Sequence, residues 1–384
     1  MDKRVMVLGG ALIAVLVIGV LMVWLLSALN PRKYTYEEAE VIITNAAKKY
    51  FAAHPEQLPA TDKVVSSMSY QTLVNAGYIK PLNELLVDAN GCGAEIRVKK
   101  ISNDYAYIVY LNCGNKYVTR ELYQQILADH PVSKSGSGLY KTNKEYYFRG
   151  KVTNNYVKFG SVKKGKRTED YLWRIVSIDA SGNVKLKSVK SLAKSQWDDR
   201  YNADQRKVVG YNTFNDSVLA EALEKLYNEN TLFTVEELSK LVPTKLCAGP
   251  RKVNDNSKTG NTECASKSKK QFYFGTMTPY EYMRASLDPN CSSLIDKSCG
   301  NYNYLSDRDH VVEWVITSDP ETTSQAYAFD GKTFESTTAK SRYALYPTIT
   351  LGTYAFYSGG TGTEADPYSI KLSTDLIETN STKR

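Results

Sequence analysis

Residues Val5–Leu29 run for 25 positions without a charged side chain. As a helix this run is about 37 Å long, enough to cross a hydrocarbon core of about 30 Å. A globular core has no use for so long an apolar stretch at the extreme amino end, and the sequence predicts a transmembrane helix. Lys3 and Arg4 precede the run and Arg32 and Lys33 follow it, so the positive-inside rule leaves the orientation near a tie. A cleaved signal peptide is the rival reading, because Ala28 is small. However, the apolar region exceeds the roughly 7 to 15 residues of a signal-peptide core, and Leu26 fits poorly two positions before the cut. The expected arrangement is an uncleaved anchor over residues 1–34 with the lipid bilayer as its partner.

The six cysteines break the tie in orientation. Cys92, Cys113, Cys247, Cys264, Cys291 and Cys299 form three local couples, a pattern of disulfides and an oxidising compartment. The polar stretch Ser102-Asn103-Asp104 lies midway between Cys92 and Cys113, and a hairpin closing there sets the two opposite each other. No couple has C-x-x-C spacing, and His54, His130 and His310 lie far from the couples, so neither a metal nor another cofactor is expected. The amino terminus is therefore expected in the cytoplasm and the remaining domains outside it, at the cell membrane.

Behind the anchor, Thr35 and Glu38 have capping-box spacing, and Tyr36, Ala39, Ile43, Ala46 and Tyr50 share one helical face. A shorter helix follows, with Ser69 as its cap and Gly77 as its stop. Ala94–Lys100 and Tyr105–Leu111 then alternate as paired strands. An apolar membrane helix, Pro31 near the membrane surface, an amphipathic continuation and a small disulfide-bearing β region together resemble a type IV pilin or pseudopilin over residues 5–130. The resemblance implies a stem domain, residues 35–131, able to associate with copies of itself through the helix. The family's processing glycine and assembly glutamate are missing, since Gly10 is followed by Ala11-Leu12-Ile13-Ala14-Val15.

Residues 132–138, Val-Ser-Lys-Ser-Gly-Ser-Gly, have the composition of a flexible linker. Beyond them strands are expected at Tyr146–Val152, Asn155–Phe159, Tyr171–Ile178, Val184–Val189, Val311–Thr317, Ala326–Phe329, Tyr343–Leu351 and Tyr368–Leu372. Helices are expected at Asp216–Tyr227 and after the capping boxes Thr234/Glu237 and Thr278/Glu281. The series Tyr147-Phe148-Arg149-Gly150, Leu172-Trp173-Arg174-Ile175-Val176, Trp314-Val315-Ile316-Thr317, Tyr346-Pro347-Thr348-Ile349 and Gly359-Gly360-Thr361-Gly362-Thr363 resembles uncharacterised surface proteins of Gram-positive-type bacteria. Its late part looks like the end of a C-type-lectin-like or formylglycine-generating-enzyme-like fold, which implies a ligand-display scaffold over residues 139–372. Residues 373–384 read as a polar tail. The expected class is α+β: a transmembrane helix running into an amphipathic helix with a small β-hairpin domain, then a larger β-rich lectin-like domain.

Chemistry is sparse. His310 lies beside Asp307, Asp309 and Glu313, a grouping that could supply a general base but more simply forms a polar loop. Gly360, Gly362 and their neighbours mimic a dinucleotide fingerprint, yet Pro367 interrupts the helix that motif needs. Asp288-Pro289-Asn290 resembles a calcium and sugar motif of true C-type lectins, but Trp197-Asp198-Asp199 stands earlier in the chain, where the family has a later Trp-Asn-Asp. The 29 tyrosines serve strands and cores first and contact surfaces second. A contact surface is expected at Asn301, Tyr302, Tyr304, Asp307, Asp309 and His310, after the Cys291/Cys299 couple. The net charge of +8 gathers in Lys163–Arg167 and Lys267–Lys270, as solvated loops or as attraction to an anionic surface.

The leading functional expectation is a membrane-anchored binding or adhesion protein, not an enzyme, whose partner is a glycan, a cell-wall polymer or a surface protein rather than nucleic acid. A filament or secretion-system subunit is the alternative, and an enzyme of unknown reaction is the third reading.

Overall fold

The computed structural model describes residues 32–61, 65–101, 104–165, 167–200, 211–306 and 311–371. They belong to two compact units, one ending at Thr119 and one beginning at Arg120. Val5–Leu29 and Ser373–Arg384 lie outside the described residues. Among the described residues no helix is long and apolar enough to cross a membrane. The longest, Tyr36–Ala53, carries Glu37, Glu38, Glu40, Lys48 and Lys49, too many charges for a lipid setting. The expected class is corrected accordingly: the described chain is β-rich, and no transmembrane helix is part of it.

In the first unit, α1 (Tyr36–Ala53) begins with the predicted capping box, Thr35 and Glu38 satisfying each other's backbone N–H groups. Its stripe Ala39, Ile43, Ala47 and Phe51 is fully buried against an antiparallel sheet of β1 (Val65–Ser69), β2 (Gly93–Ile101) and β3 (Asp104–Asn112), in that order. Opposed pairs Ala94/Leu111, Ile96/Val109 and Val98/Tyr107 face the helix side, as the two-residue period of a strand requires. Helix α2 (Tyr70–Asn75) has Ser69 as its cap, and Gly77 at φ +74° closes it by letting Tyr78 N donate to Leu73 O at 3.0 Å. Cys92 and Cys113 are bonded at the open end of the β2/β3 hairpin.

The second unit starts before the expected boundary. Helix α3 (Leu122–Asp129) buries Leu122 and Ile126 in its core, and α4 (Val218–Asn228) buries Leu219 and Leu223 in the same core. The expected linker is part of this fold. Val132 bridges to Leu139, Ser133 N donates to Leu139 O at 2.7 Å, and Lys151 N donates to Ser137 Oγ at 2.9 Å. Glycine there serves turns, with Gly136 at φ +73°. An eight-stranded sheet contains β4 (Gly138–Lys141), β5 (Glu145–Arg149), β6 (Tyr156–Lys164), β7 (Arg167–Asp179), β8 (Val184–Ser188) and three late strands. A second sheet runs β12-β11-β10-β13-β9, where β9 is Ala193–Ser195, β10 Glu313–Ser318, β11 Gln325–Phe329, β12 Phe334–Thr338 and β13 Tyr343–Leu345. The single strand expected over Tyr343–Leu351 is two. Pro347 has no N–H to give a ladder, and β14 (Thr348–Leu351) leaves β13's sheet to pair with β8. Strands β15 (Tyr357–Gly359) and β16 (Tyr368–Ile370) complete the eight, β16 lying parallel to β6.

Three tryptophans fasten the core. The indoles of Trp173, Trp197 and Trp314 are wholly buried and donate to Phe159 O at 2.7 Å, Val315 O at 3.0 Å and Ser195 O at 2.9 Å, which removes the cost of an unpaired indole N–H. In the same core His130, at the end of α3, meets the Phe148 ring edge-on, and Tyr368 Oη lies 3.2 Å from its Nε2 and donates to Asp129 at 2.9 Å. Burial pulls the His130 imidazole below its ordinary value, with Asp129 opposing. Cys247 is bonded to Cys264 and Cys291 to Cys299, which leaves no free cysteine. All six are paired as the couples predicted, and the folded chain belongs to an oxidising, extracytoplasmic environment.

Two outcomes follow from this packing. Cys92→Ser, which opens a loop closed over a separation of 21 residues, should lower the first unit's stability by about 3 kcal/mol, read from denaturant curves of the oxidised proteins. Because the folded imidazole of His130 titrates below the unfolded one, its neutral form contributes fully above about pH 6.5 and progressively less as pH falls towards the folded value. Thermal midpoints of the wild type should decline over that window more steeply than those of His130→Gln.

Candidate functional site

The expected contact loop is present in part. Asp307, Asp309 and His310 lie outside the described residues. Tyr302 stands 59% exposed at φ +44°, a left-handed conformation that costs a side-chain-bearing residue about 1 kcal/mol. Its carbonyl accepts from Leu287 N at 3.2 Å, which fixes the tip. Asn301 is exposed and its Nδ2 donates to Asp288 Oδ2 at 2.8 Å. That bond, with the Asn290 N–H, holds the Asp288 carboxyl below the usual range. Tyr304 is not a surface residue. It is 2% exposed, its hydroxyl donates to Ile175 O at 3.0 Å, and burial raises its phenol well above the ordinary value. Arg174 stands over its ring at 5.0 Å. The neighbouring Asn303 is buried and ties the loop inward, donating to Tyr282 O at 2.9 Å and Cys299 O at 2.8 Å.

This loop adjoins an aromatic face that the expected site omitted. Strands β4 and β5 pair so that Tyr140 opposes Tyr147, with ring centroids 6.0 Å apart. The alternate positions Leu139 and Phe148 are 1% exposed and enter the core, so Tyr140 and Tyr147 take the other side of the ribbon. Helix α5 (Pro279–Ala285) starts with the capping box Thr278/Glu281 and a proline at its first position. It places Tyr280 and Arg284 one turn apart on the same side. The Arg284 guanidinium stands 4.9 Å from the Tyr147 centroid and 5.5 Å from that of Tyr280. Arg149 stands 5.1 Å from Tyr140. The result is a run Arg149, Tyr140, Tyr147, Arg284, Tyr280 in which each member touches the next.

Two kinds of contact fix this run. Arg284, whose side chain is 8% exposed, bonds both carboxylate oxygens of Glu145. Burial pulls its basicity down, but the Glu145 charge and hydrogen bonds more than offset this and raise it. Arg149 Nη2 donates to Ser286 O at 2.8 Å, and Ser286 Oγ donates to Asn301 O at 2.7 Å. The strand end, the helix end and the Asn301/Tyr302 loop therefore share one set of hydrogen bonds. Gly150, at φ +84°, allows the approach, because a Cβ there would meet Leu287 and Ser137 within 3 Å.

The other sequence motifs are committed locally. Asp198 is wholly buried and bonded to Arg200, whose Nε lies 3.0 and 2.9 Å from its oxygens, and Asp288 serves its own turn. Among the described residues no group of three or more His, Cys, Asp or Glu side chains could hold a metal ion. Two sequence signals did point to the aromatic face: Tyr147/Arg149 at strand spacing and Tyr280/Arg284 at helix spacing. What neither shows is that β5 and α5 are neighbours. Compared with protein-family models, curated proteins and solved structures, the chain matches none.

Removing the central guanidinium should expose its structural role. Arg284→Ala leaves Glu145 without its partner, and the second unit should lose about 3 kcal/mol by denaturant titration. A change below about 0.5 kcal/mol would mean that the pair is a surface decoration.

Proposed function

We propose that this is an extracytoplasmic binding protein whose contact surface is the Tyr/Arg face of the second unit, with the Asn301/Tyr302 loop at its edge. The observation that carries the reading is the unbroken Arg149, Tyr140, Tyr147, Arg284, Tyr280 run. Tyrosine and arginine are the residues that dominate recognition hot spots, and tyrosine offers broad amphipathic area with few rotors to freeze. A glycan or another polar, ring-bearing surface ligand suits such a face. On this reading the C-type-lectin-like resemblance of the second unit describes a display scaffold, and the apolar run Val5–Leu29 is where the chain would meet a lipid bilayer.

The test is a binding screen of the detergent-solubilised full chain against surface glycans and cell-wall fragments. For whichever ligand is retained, Tyr147→Ala should weaken binding about tenfold or more while leaving all six cysteines resistant to alkylation and the near-ultraviolet dichroism unchanged. Retained affinity in Tyr147→Ala and in Tyr140→Ala would place the contact elsewhere.

A further inference from the structure

Resting on that reading, the charge around the aromatic face points to its ligand class. Lys144 lies in the turn between β4 and β5, Arg149 ends β5, and Lys151 follows it; Lys144 and Lys151 are exposed. Among the described residues none of these three cations is in an ion pair, whereas the carboxylates around them are occupied. Glu145 is held by Arg284, and Glu281 by Lys185 and the Thr278 cap. Asp179, which opposes Glu145 across β5 and β7, accepts from Ser181 N, Asn183 N and Asn183 Nδ2. Asp288 stays at the rim with Asn290 N and Asn301. Lys141, over the Tyr146 ring at 5.1 Å, is on the opposite side of the ribbon from Tyr140 and takes no part. Arg149 Nε is buried and its Nη2 is committed to Ser286 O, so Arg149 contributes its charge to the face rather than a free fork.

The face therefore combines tyrosine rings with a local excess of unneutralised cations. We propose that it binds an acidic polysaccharide, a chain of sugar rings that carry carboxylate groups. Sugar rings use the tyrosines, and the carboxylates use the exposed Lys144 and Lys151, with the Arg149 charge between them and the rings adding to the attraction. A neutral polysaccharide leaves the cations idle. A polyanion without rings leaves the tyrosines idle.

The full chain in detergent is titrated with polygalacturonate, dextran and inorganic polyphosphate at two salt concentrations. Polygalacturonate should bind at least tenfold more tightly than either comparator and weaken as salt rises. Lys144→Gln with Lys151→Gln should lower its affinity and flatten the salt dependence, while Tyr147→Ala should lower the affinity and leave the salt dependence in place. Neither change removes a buried contact of Lys144 or Lys151, so loss by misfolding is checked by the thermal midpoint of that double variant. Dextran binding as tightly as polygalacturonate, with both sensitive to Tyr147→Ala, overturns the acidic class and leaves the binding surface standing. Polyphosphate binding equally tightly and indifferent to Tyr147→Ala overturns it in favour of charge alone. Polygalacturonate failing to bind also overturns it; the surface itself falls only if ligands retained in the wider screen ignore Tyr140 and Tyr147.

Discussion

The second unit's tyrosine and arginine face depends on one ion pair, Arg284 with Glu145, formed between residues 139 positions apart. A guanidinium this far removed from water is costly unless its charge and its donors are met. Glu145 meets them with both oxygens, and the rings of Tyr147 and Tyr280 cover what remains. The pair forms only when β5 and α5 lie side by side. Neither segment could hold the tyrosines in place alone; the surface is a product of tertiary packing.

Local rules carried most of the element placement. Thr35/Glu38, Ser69, Thr234/Glu237 and Thr278/Glu281 each cap a helix where the sequence predicts one, because a cap is decided by atoms three residues apart. The pairing of β2 with β3, up to Ile101 opposite Asp104, is equally local. The failures share a cause. Val132–Gly138 has linker composition, but glycine and serine serve tight turns as well as flexible chains, and only the partners Leu139 and Lys151 distinguish the two. Tyr343–Leu351 reads as one strand, yet its halves pair with β9 and β8, both far earlier in the chain.

The site was half legible for the same reason. Tyrosines at Tyr302 and Tyr304 look alike in sequence, two residues apart in an irregular segment. Their fates diverge because Asn303 donates to Tyr282 O and Cys299 O, which turns Tyr304 towards Arg174 and the core and leaves Tyr302 outside. A period-two pattern would have set both on one side. Irregular backbone anchored by a buried amide obeys no such period, so spacing could not separate them.

A binding role gains from where this rigidity sits. Tyr140 and Tyr147 are set by strand pairing, Arg284 by Glu145, and Arg149 by Ser286, so their ordering happens on folding and association loses little side-chain freedom there. Lys144 and Lys151 are exposed, without such ties. Charges on long mobile side chains steer a partner and respond to salt, whereas fixed rings determine how well its shape is accepted. On the proposed reading, affinity and salt sensitivity reside in different residues of the same face, and they can change independently: the cations without disturbing the fold, the rings only within what the Arg284 pair supports.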